Sequence, residues 1–229
     1  PTAASHFWPE YPELLAGKDL LQGGTWMGMT RCGRFAAVTN YRDPSHTPEA
    51  PRSRGELPLQ YLTGSQTPED FLSDIAAQAQ DYAGFNLLVG GHDSLWHYTN
   101  SDTKGPQNLP PGIYGLSNAT LDTPWPKVVL GKAKLLALLE TGPMSHRALA
   151  DVVSSQQLAD QNSLIAQGLD STMESTLSPQ FIVTDTYGTR SSTTLWFDAQ
   201  AQASWLELSF NAQGVLREVQ HKEMRVSDR

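Results

Sequence analysis

The chain is poor in the features that would fix its class at once. It holds one cysteine, Cys32, so no disulfide can close within it, which fits a reducing compartment and makes a cytoplasmic location the expectation. Positive charge is scarce: 16 Lys and Arg stand against 24 Asp and Glu, a formal charge of −8. A nucleic-acid or anionic-membrane surface would need a local basic patch. The nearest to one, Arg31, Arg34, Arg42, Arg52 and Arg54, is spread over loops and a hairpin, so nucleic acid is not an expected partner. No run approaches the roughly 18 apolar residues of a membrane span, so no transmembrane segment is expected, and no charged-then-apolar opening reads as a secretory signal. Internal repeats at solenoid or propeller periods are missing. So are HExxH and CxxC spacings, and Gly23-Gly24 lacks the lysine and helix that a phosphate loop needs.

What remains is 229 residues with enough apolar content for one sizeable α+β domain. Residues 1–23 mix Pro9, Pro12 and glycines with Phe7, Trp8, Leu14 and Leu15, which reads as an ordered surface loop. Thr25–Thr30 and Phe35–Asn40 flank Arg31-Cys32-Gly33-Arg34 as a β-hairpin. Tyr41–Pro58 reads as a long loop of the kind that serves as a lid. Thr67-Pro68-Glu69-Asp70 announces a helix ending at Gly84, with a capping hydroxyl, a first-turn proline and two acids at the positive end of the dipole. A second hairpin follows at Phe85–Val89 and Leu95–Tyr98, a strand at Gly112–Asn118, a helix at Pro126–Leu139 and a short one at Ser145–Val153. Ser154–Ser175 reads mostly as loop, and strands at Phe181–Thr184, Thr193–Phe197, Trp205–Phe210 and Val215–Val219 close the chain as an antiparallel meander.

Three runs carry a resemblance: Gly23-Gly24-Thr25-Trp26-Met27-Gly28 leading into Arg34–Arg42; Leu116-Ser117-Asn118-Ala119 with Leu121–Lys127; and Tyr187-Gly188-Thr189-Arg190-Ser191-Ser192-Thr193. With Phe7-Trp8-Pro9 and Phe85-Asn86-Leu87-Leu88, they resemble the NRDE family, also called the transport and Golgi organisation protein 2 family, over nearly the whole chain. The resemblance implies an N-terminal-nucleophile-hydrolase-like αββα sandwich, two antiparallel sheets flanked by helices, close to the bile-salt hydrolase and penicillin acylase branch. In that branch an N-terminal cysteine is the nucleophile and its own α-amine serves as base. Family members begin Met-Cys and soon carry the Asn-Arg-Asp-Glu run; this sequence, opening at Pro1, has neither. It therefore reads as cut from a longer chain, one domain over 1–229 whose N-terminal strand segment lies upstream, and its loss would leave unpaired sheet edges.

Candidate site residues follow, each with a bland alternative. Asn118 is either an oxyanion donor, by resemblance to the acylase asparagine, or a turn cap before Asp122-Thr123-Pro124. Asn40 has the same two readings. Arg190 either orients a nucleophile or substrate carboxylate or is a solvated turn arginine. Arg42 and Asp43 are pocket-lining or a salt-bridged loop pair, and Trp26, Trp125 and Tyr187 are pocket walls or core and rim. Cys32 reads as structural, and His92 and His97 lack the spacing of a metal pair. Two functions fit the resemblance. One is a carrier of a small apolar ligand in haem or lipid trafficking, with haem offered His6, His92, His97 or Tyr187 as axial group. The other is an amide hydrolase whose cysteine lies upstream of Pro1, acting on an amide-containing ligand. A structural or interaction module is a third possibility, which an exposed apolar patch without a deep pocket would favour.

Overall fold

The computed structural model describes residues 1–42, 50–167, 169 and 171–227. Its first elements correct the expectation for the N-terminus. Residues 1–23 are not a surface loop: β1 (Thr2–Trp8) and β2 (Tyr11–Asp19) form an antiparallel hairpin. The prolines misled because each occupies a place where a missing N–H costs nothing. Pro9 sits in the turn between paired Trp8 and Tyr11, and Pro12 lies where the register slips from Trp8↔Tyr11 to Phe7↔Leu15.

Five more strands, β3 (Met27–Thr30), β4 (Phe35–Asn40), β5 (Phe85–Gly90), β6 (Leu95–Thr99) and β7 (Gln107–Leu109), extend the hairpin into a sheet whose spatial order is the chain order. Both expected hairpins are among them. One face of this sheet packs on α1 (Glu56–Thr63) and α2 (Pro68–Ala77), burying Trp8, Leu14, Leu62, Leu72, Ile75 and Leu87. Helix α2 begins as expected, the Thr67 hydroxyl accepting from the Asp70 amide at 3.1 Å, but stops at Ala77 and leaves Tyr82 beyond a 3-10 turn. Helix α1 begins inside the expected loop, at Glu56, and continues past its end to Thr63. Pro58 falls in its first turn, where the absent N–H would have had no intrahelical partner. Residues 43–49 of the expected lid lie outside the described residues.

The last strands, β8 (Ser191–Phe197), β9 (Gln202–Phe210) and β10 (Leu216–Arg225), make the expected meander as a second antiparallel sheet in the order β10-β9-β8. Ala203, Trp205 and Met224 on its inner face meet Leu15 and Met29 of the first sheet. On its outer face lies α4 (His146–Val152), anchored by His146, whose ring nitrogens meet Thr194 Oγ1 at 2.6 Å and Ser204 Oγ at 2.8 Å, and α3 (Pro126–Thr141) packs against α4. The layers thus run helix, sheet, sheet, helix, an α+β fold with two antiparallel sheets. Segment 112–118 is not a strand but an irregular stretch, and 181–184 contributes only the bridge Val183↔Gly188. Two short helices, α5 (Gln161–Ile165) and α6 (Thr172–Thr176), interrupt the expected 154–175 loop. Five residues are too few to show a period, so only their capping residues, Asp160 and Ser171, could have betrayed them. Among the described residues no helix is long and apolar enough to cross a membrane.

One carboxylate lies between the sheets. Glu207 is 2 % exposed, accepts from the Ser5 amide at 2.9 Å, and stands beside Trp205, whose indole donates to Ser5 Oγ at 3.1 Å. Burial raises its pKa above the ordinary glutamate value, and the hydrogen bonds from Ser5 and its neighbours only partly offset this. A raised folded-state pKa means that the folded protein holds this proton more tightly than the unfolded chain. Stability from this group is therefore full below about pH 4.5 and declines as pH rises through the folded pKa. The expected result for Glu207→Gln is a urea midpoint that gains on wild type more at pH 8 than at pH 5. An equal offset at both pH values would show that Glu207 is not proton-linked to folding.

Candidate functional site

Strand β4 runs out of its sheet partners at Asn40, and the polar groups there tie a second segment down. Thr39 donates its hydroxyl to Ser117 O at 2.8 Å, and the buried Asn86 amide on β5 reaches both Thr39 Oγ1 at 3.2 Å and Ala119 O at 2.9 Å. Asn118 continues the seam: its side-chain amide donates to Asn40 O at 2.9 Å, and its carbonyl accepts from the Arg42 amide at 2.6 Å. Asn118 therefore cross-ties two backbone segments, using one of the two N–H groups of its amide.

Above this seam lies a cavity of about 860 Å³, walled by the end of β4, residues 82–84, the start of α3, and the α5–α6 region with Tyr187. Such a volume falls within the ~300–1,000 Å³ typical of small-molecule sites. Its aromatic wall is Tyr41, Tyr82, Trp125 and Tyr187. Among the described residues its charges are Arg42, Arg54 and Lys127 against the single carboxylate Glu174. Arg42 pairs with Glu174 at 3.6 Å, while the other Glu174 oxygen closes the capping box of α6 with Ser171. Arg54 donates to Gly84 O at 2.9 Å, and burial lowers its pKa from the usual arginine value. Lys127 donates to Leu177 O at 3.0 Å; burial, and then the nearby Arg42 charge, hold its ammonium below the ordinary lysine range. Tyr82, bonded to Glu56 at 2.7 Å, has its phenol pushed above the usual range by burial and by that carboxylate.

Of the sequence-predicted residues, Asn40, Arg42, Asn118, Trp125 and Tyr187 all line this cavity. Trp26 and Arg190 do not. The Trp26 ring fills the space left by the missing side chain of Gly17, so close that a Cβ there would come within 2.5 Å of it. Arg190 is exposed just before β8, its backbone carbonyl accepting from the Phe210 amide at 2.8 Å. Asp43 lies outside the described residues. Cys32 is elsewhere, its sulfur 3.1 Å from Thr30 Oγ1 beside a separate cavity of about 430 Å³. His97 is buried against Asn86, which lowers its pKa, and His92 pairs with Asp93. Among the described residues no cluster of three or more His, Cys, Asp or Glu could hold a metal. Sequence reasoning missed Arg54, Tyr82, Glu174 and the chemistry of Lys127. Lys127 lay at the end of a quoted run, but nothing in a run of letters shows that a lysine is half-buried.

The seam makes an unequal prediction. Asn118→Ala removes one partly exposed hydrogen bond and should cost about 0.5–1.5 kcal/mol. Asn86→Ala leaves buried acceptors unpaired and should cost about 1–3 kcal/mol. Amide hydrogen exchange of Arg42 and of residues 117–120 checks this, with both variants expected to speed exchange there while the β8–β10 amides stay protected. Unchanged exchange in the Asn86 variant would show that the seam does not hold the cavity floor.

The comparisons with known proteins agree along the chain. A family model described as Transport and Golgi organisation 2 matches residues 1–212. The bovine transport and Golgi organization protein 2 homolog is 35 % identical over 228 residues, covering 91 % of this chain and 81 % of the relative. The mouse and human homologs are each 32 % identical, with the same coverage. A match of this extent, taking in the strands, the seam and the cavity wall together, makes this chain a member of the Transport and Golgi organisation 2 family.

Proposed function

We propose that the protein handles a small apolar ligand bearing an anionic group, in a haem- or lipid-related trafficking or homeostasis role. The observation that carries the reading is the charge of the cavity. In a chain of net charge −8, this cavity gathers Arg42, Arg54 and Lys127 against Glu174, the one carboxylate among the described residues of its wall. Cations concentrated against the sign of the whole molecule attract an anion, and the flanking rings offer stacking area to its apolar body. The names of the relatives, which refer to transport and Golgi organisation, are compatible with such a role. We place it in the cytoplasm, where a lone thiol such as Cys32 stays reduced.

Haem is one cargo of this description. Its carboxylates match the arginines, and Tyr187 is the one of the four sequence-stated axial candidates that lines the cavity; His6, His92 and His97 do not. A second reading, amide hydrolysis by a cysteine upstream of Pro1, draws support from Asn40 and Asn118 standing together at the cavity wall.

Titration with haem, followed at the Soret band, is the direct test. The expected result is saturable one-to-one binding that Arg54→Gln weakens about 10-fold or more, the scale of a charge-assisted hydrogen bond of about 1.5–3 kcal/mol. Tyr187→Phe should alter the bound spectrum. Displacement of an anionic fluorescent lipid by Arg54-dependent competitors, without any haem spectrum, would select the lipid arm. Binding of neither would remove the ligand-handling reading.

A further inference from the structure

Lys127 is placed against the usual rules for a lysine. It follows Pro126 in the first turn of α3, a helix of 16 residues, and its amine reaches across to the backbone carbonyl of Leu177, the residue that ends α6. It is half-buried, lines the cavity, and has no carboxylate partner among its described contacts: its hydrogen bond goes to the Leu177 carbonyl, its ring neighbour is Trp125 at 5.6 Å, and the charge acting on it is the Arg42 guanidinium. By contrast Lys132, one and a half turns later on the same helix, is paired with Asp122 at 2.7 Å. Burial and the neighbouring Arg42 cation both disfavour the ammonium form and favour the neutral amine, the state in which lysine is a nucleophile.

We propose that Lys127 is a reactive amine that condenses with the carbonyl group of an anionic aldehyde or ketone, with Arg42 and Arg54 receiving the anion. The proposal rests on the reading of this cavity as an anion-binding ligand site. The Nζ lone pair attacks the carbonyl carbon, the carbon–oxygen π pair moves to oxygen, and that oxygen takes the proton released by nitrogen. A second proton from solvent then lets the oxygen leave as water, and a protonated imine joins ligand and lysine. No oxidant or reductant is consumed. The Leu177 carbonyl aims the amine without neutralising it, and Trp125 forms one wall for the ligand's flat part.

The test uses 4-carboxybenzaldehyde, a flat aldehyde with a carboxylate at its far end, with cyanoborohydride to reduce any imine to a stable secondary amine. Peptide mapping by mass spectrometry reads the adduct at each lysine. Lys127 is expected to react severalfold faster than Lys132, since a depressed amine pKa raises the neutral fraction and Lys132 is held by Asp122. The neutral methyl ester of the probe should lose most of that preference, terephthalate should protect Lys127, and Arg54→Gln should slow its labelling. Quenching of tryptophan fluorescence reports binding separately. Saturable binding with no preference for Lys127 would overturn the amine chemistry and leave the ligand-handling reading standing. No binding and no selective adduct would overturn both.

Discussion

Leu14 and Leu15 are neighbours in the chain, both essentially without exposure, and they belong to different cores. Successive side chains on a strand point to opposite faces, so this can happen only where a sheet is covered on both sides. That double burial is the constraint from which the rest of the architecture follows. One face requires α1 and α2; the other requires the β8–β10 sheet, brought back from the far end of the chain to meet Leu15 and Met29. The outer face of that second sheet then needs its own cover, which α4, backed by α3, supplies. Each layer exists because the previous one leaves a face open.

The cavity forms beyond the reach of the second sheet. Over β4 and β5 the large sheet carries Thr39 and Asn86 toward the side where β1–β3 carry Leu15 and Met29. An apolar layer cannot seal against those groups, because a buried amide or hydroxyl without a partner costs more than the packing returns. Backbone carbonyls from 117–119 meet them instead, and the irregular path of that segment lets its carbonyls point at side chains rather than at a neighbouring strand. The space left beside this polar seam is what the cations and aromatic rings line.

Much of this was legible in the letters. Period-two alternation with tight connections marked both hairpins and the final meander, and the Thr67-Pro68 start signal fixed the beginning of α2. Three failures share a cause: proline was read as chain punctuation wherever it occurred. Pro9, Pro12 and Pro58 each sit inside or beside regular structure at positions that demand no N–H, and the glycines of 112–118 do not mark a strand. The site was half legible. Family-like runs pointed to residues that the fold does bring together, namely Asn40, Asn118 and Trp125, because those runs are the cavity wall. Arg54 and Glu174 carried no local signal, since their importance arises from segments far apart in sequence.

Glu174 divides its two oxygens between separate tasks, one facing Arg42 and the other completing the cap of α6. The two tasks are therefore thermodynamically linked. A ligand anion that recruits Arg42 away leaves a carboxylate that is almost wholly buried with half its partners, and the cap must tighten or the helix must yield. Under the proposed anion-binding reading, occupancy of the cavity and the folding of α6 share one equilibrium: a change at the capping residue Ser171, which does not line the cavity, would act on affinity, and the ligand in turn would set how firmly that turn is wound.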